Sequence, residues 1–191
     1  MRGQPFKWTS LTSPHLTEQL AQDLMRQVLI EYERHLGHRP SRVVVHKWSR
    51  YWDDERLGFD AALHDVTTID YVAFGDRGIR YFRLGNHPPI RGTLITLTQG
   101  NALLYTRGYV PLLGAYVGAR VPRPIEIVEH FGATTLTLIC QEILSLTKLD
   151  WNTADFAGKE PITTAFSGDV GHILAELPPG ATPRTLYRFY M

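Results

Sequence analysis

The sequence predicts an α/β fold in which a mixed sheet is flanked by helices. Two observations lead there. A long amphipathic helical stretch is followed, after Gly37 and Pro40, by Arg42-Val43-Val44-Val45-His46-Lys47. Three successive valines suit a strand covered on both faces, and helix, short loop and buried strand make half of an α/β unit. The second observation is the pair of turn sequences Gly75-Asp76-Arg77-Gly78 and Gly100-Asn101, each between apolar runs. These read as antiparallel hairpins.

The elements follow in order. Ser13-Pro14 offers an N-cap and a proline at the first helical position. Leu16, Leu20, Leu24, Val28, Tyr32 and Leu36 then recur every four residues, with Ala21, Met25 and Leu29 beside them. Gly37 closes that helix and Pro40 prevents its resumption. Asp53-Asp54-Glu55 opens a second helix with acids at its positive end, and Leu57, Ala61 and Leu63 are its apolar positions. Ile69 to Phe74 and Ile79 to Leu84 read as one hairpin, and Gly92 to Thr98 with Ala102 to Thr106 as another. Pro122 to Val128 leads into a strand, Thr134 to Leu144 is an apolar helix, and Pro161 to Glu176 a last helix weakened by Gly168 and Gly171. The reading is one domain over residues 1–191, with 184–191 an extended aromatic tail.

At 191 residues, with 43% apolar and 20% charged residues, the chain has the composition of a globular domain with a real core. The net charge of +1 gives no global argument for a polyanionic partner. The one cysteine, Cys140, lies in the apolar helical run and reads as a small core residue in a reducing compartment, hence a cytoplasmic location. No secretory h-region and no membrane-length apolar run are present, so no membrane partner is expected. Walker A, GxSxG, GxGxxG and HExxH patterns are absent, which leaves nucleotide hydrolysis, serine hydrolase, dinucleotide and zinc-protease chemistry without support.

The near-neutral total hides a segregated segment. Between Asp76 and Glu126 there is no acidic residue, while Arg77, Arg80, Arg83, Arg91, Arg107, Arg120 and Arg123 lie there without a lysine. Tyr81, Phe82, Tyr105, Tyr109 and Tyr116 are interleaved. Arginine suits planar, bidentate contacts to phosphate, and aromatics among arginines suit a groove that follows a nucleic-acid backbone. The bland reading is a row of solvated strand-edge arginines. A second polar corner is Leu144-Ser145-Leu146-Thr147-Lys148-Leu149-Asp150-Trp151-Asn152, at a helix exit where backbone carbonyls lack partners.

Several stretches in shared order resemble the C-terminal half of the PIWI domain of prokaryotic Argonaute proteins of the short or inactive type. They are Pro40 to Lys47; Arg91-Gly92-Thr93; Leu104 to Tyr109; Tyr116-Val117-Gly118 with Pro122-Arg123-Pro124; Leu146 to Asn152; Pro161-Ile162-Thr163; and Tyr190-Met191. The resemblance implies a partial RNase H-like α/β fold that holds guide and target nucleic acid, RNA or DNA. It assigns backbone contacts to Lys47, Arg91, Arg107, Arg123, Thr147, Lys148 and Asn152. It also implies a magnesium ion bridging the guide 5′ phosphate and the C-terminal carboxylate of Met191.

Two departures bear on chemistry. The family's active members carry His-Arg-Asp-Gly after the valine-rich strand, the aspartate being a metal ligand; here His46-Lys47-Trp48-Ser49 stands there. An indole cannot coordinate a hard divalent cation, which needs oxygen ligands. The family's last catalytic position falls on Gly168, with Asp169 adjacent. No catalytic residue is therefore assigned, and the expected activity is binding without cleavage. Two alternatives stand beside it: a metal-dependent RNase H-like endonuclease using Asp150 and Asp155 with acids supplied by a partner, and a protein-docking half-domain or remnant. The resemblance also implies a partner chain carrying the MID domain and the upstream half, and a sirtuin-like or TIR-like effector.

Overall fold

The computed structural model describes residues 15–76, 78–82, 84–116, 121–150, 155–178 and 180–182. The first helix, α1, spans Glu18–Leu36 and is capped by Thr17, whose hydroxyl accepts from Leu20 N. Ser13-Pro14, read as the opening of this helix, lies outside the described residues. Gly37 ends α1 in the left-handed region at φ 75°, its N–H donating to the Glu33 carbonyl. β1 (Arg42–Lys47), α2 (Asp53–Ala62) and β2 (Thr68–Gly75) follow. Next come β3 (Leu94–Thr98), β4 (Asn101–Leu104), β5 (Tyr109–Val110), β6 (Ala115–Tyr116) and β7 (Ile125–Gly132). Two helices, α3 (Leu136–Leu146) and α4 (Ile162–Ala175), complete the order.

The main sheet has the order β1-β2-β7-β4-β3. β1 and β2 are parallel, and the remaining pairings are antiparallel. The sheet is mixed, as expected. The valines of β1 alternate between two cores. Val43 and Val45 pack with Tyr71, Ala73, Phe59, Leu63 and Met25, on the side of α1 and α2. Val44 packs with Val72, Phe74, Ile127, Ile139 and Ile143, on the side of α3. The valine run thus packs on both faces, but all six residues of β1 are only half-buried, because among the described residues β1 pairs only with β2 and stands at the sheet edge.

Three expectations are corrected. Residues 78–82 and 84 form no strand. β2 pairs with β1 on one side and β7 on the other, so no edge remains for a returning strand. Phe82 and Leu84 are accordingly 80% and 85% exposed. In α1 the buried row is Ala21, Met25 and Leu29, while Leu24, Val28 and Leu36 face outward. In α2, Leu57 is 56% exposed and the buried positions are Glu55, Gly58, Phe59 and Ala62. Both shifts come from the α1–α2 crossing. A Cβ at Gly58 would lie 2.2 Å from the Glu18 carbonyl oxygen and 2.8 Å from the Ala21 Cβ. The helices cross with glycine against alanine, and that contact fixes which row of each faces in.

Candidate nucleic-acid interface

The basic interval folds around the segment 155–160. Thr106 donates its hydroxyl to the Lys159 carbonyl at 2.5 Å, and Gly158 N donates to the Thr147 carbonyl at 2.7 Å. Arg107 Nε donates to the Ala157 carbonyl at 3.2 Å, and its Nη2 meets Asp155 Oδ2 at 3.0 Å. This strap delivers Lys159 to the side of Arg107. Gly108 makes the approach of the neighbouring loop possible, because a Cβ there would lie 2.3 Å from the Pro89 carbonyl oxygen. The result is a cavity of about 470 Å³ lined by Arg80, Arg107, Tyr116, Val121, Pro122, Arg123 and Lys159.

Two of those cations are held by carboxylates. Arg107 pairs with Asp155, and Lys159 Nζ with Asp76 Oδ2 at 2.8 Å. The Lys159 ammonium, with the Gly78 N–H, keeps the Asp76 carboxyl below its ordinary pKa. Arg80 and Arg123 make no ion pair among the described residues. Sequence reasoning found three of these cations as members of the acid-free interval. It missed Lys159, which lies outside the interval and reaches the cavity only through the strap.

The other assigned residues fall elsewhere. Arg91 is half-buried and works inside the fold: its Nη2 donates to the Leu144 carbonyl and to Thr147 Oγ1, both at 2.8 Å. It bolts the chain before β3 to the last turn of α3, satisfying a carbonyl that the helix end would leave without a partner. Thr147 is buried and belongs to the same bolt. Lys148 Nζ stands 4.8 Å from the Phe156 ring centroid, with the Arg91 guanidinium 5.8 Å from that ring. Lys47 donates to Glu55 and, at 3.1 Å, to the Arg50 carbonyl. Arg107 and Arg123 therefore share one cavity, whereas Lys47 Nζ, Arg91 Nη2 and Thr147 Oγ1 make hydrogen bonds within the chain. Asn152 and Met191, with its carboxylate, lie outside the described residues.

A second cavity adjoins the first through Lys159. It is lined by Trp48, Asp150, Glu160, Gly168, Asp169 and His172 among others. Its walls come from the end of β1 and from α4, which is fixed by His46 Nδ1 against Thr163 Oγ1 at 2.8 Å. Burial pulls the His46 pKa down to about 4, so near neutral pH the ring is uncharged. Trp48 leans on Phe74 with ring centroids 5.7 Å apart. Trp48 and Gly168, the two positions that the resemblance set against the family's metal site, line one cavity with Asp150, Asp169 and His172. Asp155 is paired with Arg107. Among the described residues no group of three or more His, Cys, Asp or Glu side chains is placed to hold a metal ion.

Fold and site together define an α/β domain with a mixed sheet between two helical layers and a cation-lined cavity beside the strap after α3. Among solved structures this fold matches Argonautes. A crystal structure of Aquifex aeolicus Argonaute superposes with a TM-score of 0.66 at 22% identity, covering 90% of this chain and 24% of that one. Clostridium butyricum Argonaute, bound to a guide DNA and a 19-mer target DNA, superposes with a TM-score of 0.69 at 18% identity, over 92% of this chain and 23% of that one. The A. aeolicus protein with externally bound siRNA gives 0.68 at 22% identity, over 90% of this chain and 23% of that one. The chain spans about a quarter of the length of these proteins. No protein-family model and no curated protein matches the sequence. Among the described residues no helix is long and apolar enough to cross a membrane.

Proposed function

We propose that this chain is a nucleic-acid-binding segment of an Argonaute-type protein, holding guide or target strands by their backbone and not cutting them. The observation that carries the reading is the cavity of Arg80, Arg107, Arg123 and Lys159, set in a fold shared with Argonautes. Guanidinium groups that line an open cavity are suited to phosphate oxygens, and such contacts position a strand without reading its sequence. A partner chain supplying a MID domain and the upstream half of the domain, and a sirtuin-like or TIR-like effector, belong to the same proposal. Binding of labelled single strands and guide–target duplexes, measured across a salt series, tests it. Arg123→Ala and Arg80→Ala should each weaken binding about equally for unrelated sequences and reduce the salt slope by about 1. Unchanged affinity and slope in both variants would refute the assignment of this cavity.

The absence of cutting is the second half of the proposal. Its support is Trp48, an indole where the family's active members carry a metal-binding carboxylate. With a guide and a complementary labelled target in magnesium or manganese, the chain should leave the target intact. The rival endonuclease reading would use Asp150, which shares its cavity with Asp169 and His172. Specific cleavage that is lost in Asp150→Ala would establish that reading instead.

A further inference from the structure

The two ion pairs at the basic cavity have a feature that folding does not require. Asp155 and Asp76 are both substantially solvent-exposed, as are the side chains of Arg107 and Lys159 to a lesser degree. Ion pairs of this kind contribute little to stability. The strap they decorate is held independently, by Thr106 on the Lys159 carbonyl, Arg107 Nε on the Ala157 carbonyl and Gly158 on the Thr147 carbonyl. Breaking either pair therefore leaves the strap's backbone and the Arg107 Nε contact in place. The carboxylates sit on cations that line a cavity open to ligand, in the geometry a phosphate oxygen would take: 3.0 Å from Arg107 Nη2 and 2.8 Å from Lys159 Nζ.

We infer that Asp155 and Asp76 are built-in stand-ins for ligand phosphate, which occupy Arg107 and Lys159 until a nucleic-acid backbone displaces them. This rests on the phosphate-holding reading of the cavity. Arg80 and Arg123, which have no ion pair among the described residues, meet the strand first. Arg107 and Lys159 then exchange a carboxylate for a phosphate, one negative charge for another. The exchange makes binding less favourable than four open cations would give, and it penalises any ligand that offers a single isolated phosphate. A strand with closely spaced phosphates engages both pairs and is favoured over scattered anions.

Charge-neutral variants read this directly. In Asp155→Asn and Asp76→Asn the carboxylate charge is removed and an acceptor oxygen remains; at position 76 that oxygen still serves the Gly78 N–H, 3.1 Å away in the native chain. Each variant should bind a labelled 20-nucleotide single strand about three- to tenfold more tightly, through an added favourable charge at the site. The salt slope should steepen by about 1 for each cation released. The two variants act on separate pairs, so poor folding of one leaves the other decisive. If a folded Asn variant binds as the native chain does, or more weakly, while Arg123→Ala weakens binding, the stand-in role is overturned and the cavity reading survives. If Arg80→Ala and Arg123→Ala are also without effect, the cavity reading falls, and this inference with it.

Discussion

Asp70→Ala should destabilise the chain by about 3–5 kcal/mol, the cost of leaving a buried charged network without its central partner. Asp70 is fully buried on β2. It accepts from Thr134 N at 3.0 Å, Thr134 Oγ1 at 2.5 Å, His130 Nε2 at 3.2 Å and Arg42 Nε at 3.2 Å. Arg42 in turn makes a bidentate pair with Glu142 on α3, at 2.5 and 2.9 Å. One carboxylate thus joins β1, β2, β7 and the turn before α3. Removing it orphans the Thr134 donors beside a close-packed glycine, since a Cβ at Gly132 would lie 2.2 Å from Asp70 Oδ1. Asp70→Asn, which keeps an acceptor, should lose less. Urea denaturation followed by circular dichroism measures both, and a loss under about 1 kcal/mol in the alanine variant would contradict the account.

The same site sets a pH dependence. Burial pushes the Asp70 pKa up, but the bonds from Thr134, His130 and Arg42 outweigh it and leave the group below its ordinary 3.8. A carboxyl whose folded pKa lies below its unfolded one stabilises fully above the unfolded value and loses that stabilisation as pH falls through the folded one. Native stability should therefore drop as the solution is acidified below about pH 4, and Asp70→Asn should show a shallower drop over that range.

Glu55→Ala should cost about 3 kcal/mol, by stranding a partly buried ammonium and two backbone donors. Glu55 is buried at the start of α2. Its Oε1 accepts from Leu16 N at 3.0 Å, and its Oε2 from Trp52 N at 3.1 Å and from Lys47. The Trp52 contact is the N3 half of a capping box, which satisfies a donor at the helix start. The Leu16 contact ties the chain before α1 to α2, and the Lys47 contact ties the end of β1 to both. Glu55→Gln should recover the backbone contacts but not the ion pair. Hydrogen exchange at the Leu16 and Trp52 amides separates the two effects. If Glu55→Ala leaves both amides as protected as in the native chain, Glu55 is not the anchor described.

These two carboxylates show where sequence reading stopped. Asp53, Asp54 and Glu55 look alike in the sequence, three acids at a helix start. Tertiary packing turns only Glu55 inward, because it stands at N3, where it reaches back to Trp52 N and across to Lys47. Lys47 and Arg91 were assigned to nucleic acid by resemblance, and each makes internal bonds, Lys47 through Nζ and Arg91 through Nη2. Arg107 and Arg123 share the exposed cavity. Residue type and order along the chain do not distinguish these fates, since a guanidinium suits a helix-end carbonyl as well as a phosphate.

The sequence by itself determined the local elements. The left-handed cap at Gly37, the valine strand, the hairpin about Gly100, the apolar α3 and the helix after Pro161 are all short-range signals of caps, turns and periodicity, and they appear where those signals lie. It also determined the acid-free interval that supplies three cations of the cavity. The tertiary structure alone decided what meets what. Residues 79–84 have the composition of a strand, yet 79–82 and 84 form none, because β7 takes the edge of β2 that they would need. Lys159 enters the cavity because Thr106 and Arg107 hold the strap, and Trp48 shares a cavity with Gly168 because His46 and Thr163 fix α4 on β1. A strand's partner and a side chain's neighbour depend on competition among segments far apart in sequence, and periodicity within one segment carries no record of that competition.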